Sequence, residues 1–214
     1  MNYIENIFLC MVMPILVATF CVQDIRRGSL IFALVGMSVC LCSAYINTFL
    51  AGVMEADATS ATANITPMVE ESMKLLPVLF YLIVFEPSRP RAANAIFMLS
   101  VGFATFENVC YLTANGAADI SYLLIRGAGT GAMHIVCALL MGIGLINLWN
   151  VSWLKVAGTL AMLGLVIIYH AIYNLLVSQT GWVSVLGSML PLLTVAAVLI
   201  FARNLLGNIY RDSP

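Results

Sequence analysis

Charge is what this chain has least of. Of its 214 residues only 9% are Asp, Glu, Lys or Arg, against 62% hydrophobic. An average soluble domain carries roughly 25% charged residues, so a soluble globular enzyme is excluded, and the mean hydropathy of +1.02 points the same way. A basic excess is also missing: the net charge is -1, which leaves no electrostatic footprint for nucleic acid. With so little charge and so much apolar content, a disordered chain is excluded as well. No CxxC pair and no Cys/His cluster with zinc spacing is present, so Cys10, Cys21, Cys40, Cys42, Cys110 and Cys137 read as small apolar residues rather than a disulfide framework. Nor does any Lys or Arg precede the first apolar run, MNYIENIFLCMVMPILVATFCV. A signal peptide wants a positive leader and a small-residue cleavage site, so this run is expected to be a retained helix.

What is present is a succession of long apolar runs. A helix needs about 20 mostly apolar residues to cross a bilayer. Seven runs qualify, approximately 4–22, 30–54, 67–86, 92–114, 124–149, 153–178 and 182–202. The expected fold is therefore all-α, a polytopic membrane helix bundle forming a single domain over residues 1–214, in contact with the lipid bilayer. Pro14, Pro77 and Pro191 fall inside these runs and are read as kinks. The linkers alternate in charge. QDIRRGS and EPSRPRAAN carry Arg26, Arg27, Arg89 and Arg91, Lys155 follows the fifth run, and Arg203 and Arg211 lie in the tail. EADATSATANIT, NGAADISY and SQTG carry acidic residues or none. By the positive-inside rule the N-terminus is expected outside and the C-terminus in the cytoplasm.

Against this pattern, Glu70, Glu71, Lys74 and Glu107 fall within spans, as do both histidines of the chain, His134 and His170. A charged side chain at a helix centre costs roughly 2.5–3.5 kcal/mol on insertion scales, and an intramembrane ionisable residue is a functional-site hypothesis by default. At 1.5 Å rise per residue, the paired glutamates lie roughly 5 Å below the outer boundary, Glu107 roughly 10 Å, His170 roughly 12 Å and His134 roughly 15 Å. Four helices thus deliver ionisable groups to one layer in the outer leaflet, and one polar site is expected there.

The spacings within each helix agree with a site. Lys74 stands i+4 from Glu70 and i+3 from Glu71, so it can pair with either. Two adjacent carboxylates seldom both stay charged in low dielectric, so one is expected to carry a proton, which suits acid/base work. His170 and Asn174 share a face at i,i+4 with Tyr173 beside them. Phe103 and Glu107 do the same, with Asn108 next. The run GAGTGA before His134 is built of small residues that let helices approach.

Glu70-Glu71-x-x-Lys74, Phe103-x-x-x-Glu107-Asn108, His134 and His170-x-x-Tyr173-Asn174 occur in that order on consecutive spans. The set resembles the PrsW family of bacterial intramembrane proteases, which is similar in turn to the CAAX prenyl endopeptidase and bacteriocin-processing (CPBP) membrane proteins. The resemblance implies a multi-pass protein of a bacterial cell membrane. It implies proteolysis with a catalytic carboxylate in the double Glu and assistance from the histidines, on a membrane-anchored substrate such as an anti-sigma factor or a peptide precursor. Glu107 stands where the CAAX relatives have His, which fits the PrsW branch. Asn174 stands where PrsW relatives often have Asp.

Hydrolysing a peptide requires a water activator, an oxyanion stabiliser and a leaving-group acid. No Ser or Cys neighbours a His at motif spacing. The favoured reading is a water activated by Glu70 or Glu71, with His134 and His170 orienting it or stabilising the oxyanion, Asn108 or Asn174 donating, and no cofactor. The alternative is a zinc site of Glu107, His134 and His170 with Glu70 or Glu71, although HExxH is absent. Two other classes compete. A proton-coupled transporter would need a polar path through the cytoplasmic half, and a non-enzymatic membrane scaffold would use the polar layer as glue.

Overall fold

The computed structural model describes residues 24–116, 120–149 and 152–201, together with Ile4, Phe8 and Ile15. The described residues form helices and turns with no strand. The helices are α1 (Asp24–Val53), α2 (Thr66–Phe85), α3 (Arg89–Asn115), α4 (Ile120–Leu148), α5 (Ser152–Val177) and α6 (Trp182–Phe201). The first expected span, 4–22, and the tail arginines lie outside the described residues, apart from the three residues named. Among the described residues four segments are long and apolar enough to cross a membrane: Arg26–Val53, Arg89–Asn115, Gly127–Leu148 and Ser152–Val177. α2 spans 20 residues but carries three charges, and the apolar stretch Trp182–Val198 of α6 is shorter. A multi-pass membrane bundle is thus in place, with four membrane-length helices among the described residues.

Pairings between helices fix their directions. Asn94 Nδ2 donates to Ser29 Oγ at 3.0 Å, and further along the same two helices Gly36 lies against Leu99 and Phe103. Both sequences advance together, so α1 and α3 run parallel. α2 lies antiparallel to α1: the Phe32 and Tyr81 rings meet at 4.8 Å, while Met73 shares a groove with Val39 and Cys42. Close approach of α1 and α3 needs glycine. A Cβ on Gly36 would overlap the Leu99 carbonyl, and one on Gly102 would overlap the Ala33 carbonyl. α4 packs on both α3 and α5, and its inner face supplies Met133, Cys137, Met141 and Leu145 to the core, together with Leu75 and Leu82 of α2 and Val166 of α5.

Two local features set the site. Before α2, Asp57 accepts the Ser60 N–H at its side chain and caps a helical turn, Ala58–Ser60. That turn runs into a π-helical stretch, Ala61–Ile65, and on into α2. Such π segments are frequent at functional sites. At the far end of α2, Glu86 adopts φ 43°, a left-handed cap that glycine usually fills, and Pro87 follows. Pro77 and Pro191 sit within continuous helices, and Pro14 lies outside the described residues. Of the cysteines, Cys40 and Cys137 are buried as expected, whereas Cys42 is exposed on the outside of α1; a thiol on a lipid-facing helix costs little.

Candidate active site

α2, α3, α4 and α5 bring their ionisable side chains into one buried cluster. Glu70, Glu71, Lys74, His134 and His170 are each less than a tenth exposed. Glu107 is the open member, with a quarter of its side chain accessible. Burial of this much charge requires pairing, and the pairing is complete enough to define roles.

Lys74 Nζ donates to Glu71 Oε1 at 2.6 Å and lies 2.9 Å from His134 Nδ1. An ammonium has only donors, so His134 Nδ1 accepts. The ring proton is then assigned to Nε2, which donates to Glu107 Oε2 at 2.5 Å. Glu71 Oε1 also lies 2.8 Å from His170 Nδ1. A carboxylate that already accepts from Lys74 accepts again here, so His170 Nδ1 carries its proton. That leaves the Nε2 lone pair facing Glu70 Oε2 at 3.9 Å. The distance is too long for a direct hydrogen bond, but a water beside the line joining the two atoms can reach both. The two carboxylates, alike in sequence, therefore differ in place. Glu71 orients Lys74 and His170, and Glu70 faces the open nitrogen.

Aromatic packing holds the rings. Phe103, fully buried, lies under Lys74 Nζ at 4.5 Å and meets the His134 ring edge-on at 5.1 Å. The His134 and His170 rings stand perpendicular at 5.4 Å. Tyr173 Oη and Thr130 Oγ1 are 3.0 Å apart, both buried, which ties α5 to α4 one turn from His134. Asn174 Nδ2 donates to the Thr62 carbonyl at 3.0 Å, fastening α5 to the π-helical stretch that leads into Glu70. Asn108 is half-buried beside Glu107. The sequence reading passed over Thr62 and Thr130; Thr130 is the one side chain in GAGTGA large enough to bond across the helix interface.

Three donors could hold a metal. Ligand atoms of Glu70, His134 and His170 all lie within 4.8 Å of one another. Two imidazoles and a carboxylate suit a catalytic zinc with an open position, and Glu71 behind His170 Nδ1 is the outer carboxylate such ligands commonly have. The zinc set expected from sequence is Glu107, His134 and His170 with Glu70 or Glu71. Glu107 stands outside the observed group, bonded to His134, and of the two paired glutamates Glu70 is the one within it.

Fold and site together define a multi-pass membrane protein with a buried carboxylate–histidine centre. A family model described as PrsW family intramembrane metalloprotease matches residues 26–202, and the chain belongs to that family, a family of intramembrane proteases. No curated protein and no solved structure matches the chain.

Proposed function

We propose that the chain is an intramembrane endopeptidase that hydrolyses a membrane-anchored protein or peptide near the extracytoplasmic face, using a water activated by Glu70. The observation that carries this reading is the 3.9 Å gap between Glu70 Oε2 and His170 Nε2. A water held there donates to both, and Glu70 takes its proton as the oxygen attacks the peptide carbonyl. The same carboxyl group then returns the proton to the leaving amine. Glu71 keeps His170 in the tautomer that leaves Nε2 open. Lys74, held between Glu71 and His134, supplies buried positive charge near the developing oxyanion. Asn108 donates to it, or Asn174 through the second amide proton that its bond to Thr62 leaves over.

The zinc reading has its own support in the family's description and in the mutual spacing of Glu70, His134 and His170. Those three residues would hold the ion, which when bound supplies Lewis acidity and acidifies a bound water. Both ring nitrogens of His134 already have hydrogen-bond partners, so Glu107 would have to release His134 for it to serve as a ligand through Nε2. This favours the water reading. Zinc content of the purified protein and sensitivity of cleavage to a chelator separate the two.

The same reading takes the chain as seven crossings of a bacterial cell membrane, N-terminus outside and C-terminus in the cytoplasm. The ends of α1 and α3 that carry Arg26, Arg27, Arg89 and Arg91 lie side by side, because those helices run parallel. The positive-inside rule assigns that end to the cytoplasm, which leaves the Glu70–His170 layer in the outer half. A membrane-bound anti-sigma factor or a peptide precursor fits a site at that depth. In the test, purified protein is reconstituted with such a substrate. Glu70→Gln combined with Glu71→Gln is expected to abolish cleavage while the helical fold persists, and cleavage by that variant would overturn the proposal.

A further inference from the structure

A second site is indicated at the opposite end of the bundle. Where α2 ends and α5 begins, the two helices leave a groove of about 840 Å³ between them. Its walls are apolar, formed by Leu79, Leu82, Ile83 and Leu160, with Val156 also lining it. Leu79 is nine residues beyond Glu70, roughly 13 Å along the helix, so the groove is separate from the carboxylate–histidine cluster. The lining also includes Glu86, Lys155 and Trp149, all close to helix ends. Lys155 Nζ rests over the Trp149 ring, 5.7 Å from its centroid. Among the described residues no ion pair joins Lys155 to Glu86.

This combination specifies an occupant. Apolar walls in the spanning part of two helices meet hydrocarbon. Lys and Trp at helix ends sit at the level of lipid headgroups. One cation and one anion, exposed and not paired with each other, present complementary charge to a ligand that carries both signs. A lysine takes a phosphate as a point charge, and the Glu86 carboxylate takes an ammonium. An anionic lipid without an amine would set its phosphate beside Glu86 with nothing to offset the repulsion. The volume falls in the range of small-ligand sites, roughly 300–1,000 Å³. We propose that the groove between α2 and α5 binds one zwitterionic, amine-headgroup phospholipid, with an acyl chain along Leu79, Leu82 and Leu160, phosphate at Lys155 and ammonium at Glu86.

The test uses the full chain in detergent. Native mass spectrometry follows retention of added phosphatidylethanolamine, phosphatidylglycerol or inorganic phosphate. One phosphatidylethanolamine per chain is expected, held at least about fivefold more strongly than phosphatidylglycerol and not displaced by inorganic phosphate. Lys155→Gln is expected to weaken both lipids about tenfold, and Glu86→Gln to erase the preference between them. Val156→Trp, which fills the groove from an exposed position, is expected to lower retention at an unchanged melting temperature. Equal retention of the two lipids by the parent, displacement by inorganic phosphate, or retention indifferent to both Lys155→Gln and Val156→Trp would overturn the proposal. So would a peptide or a second copy of the chain as the bound species.

Discussion

The two ends of the bundle treat charge in opposite ways. At the end where α1 starts and where α2 gives way to α3, Arg26, Arg27, Glu86 and Arg91 stand exposed, as does Lys155 near the start of α5. Within the other half Glu71, Lys74, His134 and His170 are inside, joined by bonds of 2.5–2.9 Å to one another and to Glu107, with Glu70 buried 3.9 Å from His170. Exposed charges cost nothing to hydrate, and a surface pair is worth little. Such residues report which way the helices run. Buried charges persist when they are paired, so Glu71, Lys74, His134 and His170 each depend on the next. The same residue types thus stay exposed at one end and pair inside the bundle at the other.

That contrast can be broken by removing single groups from the inner half. The largest effect on stability is expected from Lys74→Met. It strips Glu71 of its cation and His134 Nδ1 of its donor, leaving an uncompensated buried carboxylate. Breaking a buried pair costs about 3–5 kcal/mol, read as a lower unfolding midpoint in detergent. An equivalent loss of charge at the other end, such as Arg27→Gln, should move the midpoint by less than about 0.5 kcal/mol, and equal effects would erase the distinction between the ends. Gly102→Ala comes next. The added Cβ meets the Ala33 carbonyl and forces α1 away from α3, at about 1–3 kcal/mol for overpacking. Phe103 and Glu107 ride on α3, so cleavage should fall along with the midpoint. Tyr173→Phe, which removes the bond to Thr130, should cost about 1 kcal/mol, less than Lys74→Met or Gly102→Ala. Its signature is a small midpoint shift with most cleavage retained; full loss of cleavage would give Tyr173 a role in chemistry.

Much of the fold was legible in sequence because hydropathy reports the membrane layer directly. α2 begins within one residue of the expected 67 and ends within one of the expected 86. Where boundaries differ, the helix outruns the apolar layer. α1 starts at Asp24 rather than 30 because Asp24, Arg26 and Arg27 are compatible with helix but not with hydrocarbon. The linker EADATSATANIT shows the same limit: it reads as polar loop, yet Asp57 caps it and Ala58–Ile65 is helical. The site residues stood out because intramembrane charge is expensive, and four helices do bring them together. Their pairing did not stand out. Spacing lets Lys74 reach either glutamate, and the choice of Glu71 depends on where His170 lies across the interface. The bond between Glu107 and His134 and the bond between Asn174 and Thr62 join residues distant in sequence, fixed by how α3, α4 and α5 pack.

The most direct measurement compares Glu70→Gln with Glu71→Gln as separate variants in one reconstituted cleavage assay, each with its unfolding midpoint. Glu70→Gln is expected to lose about 10²–10⁴-fold in cleavage, the range for a general base, at an unchanged midpoint. Glu71→Gln is expected to lose stability together with cleavage, since Lys74 and His170 both depend on it. A Glu70→Gln variant that cleaves at the parental rate would contradict the assignment of Glu70 as the base that activates water.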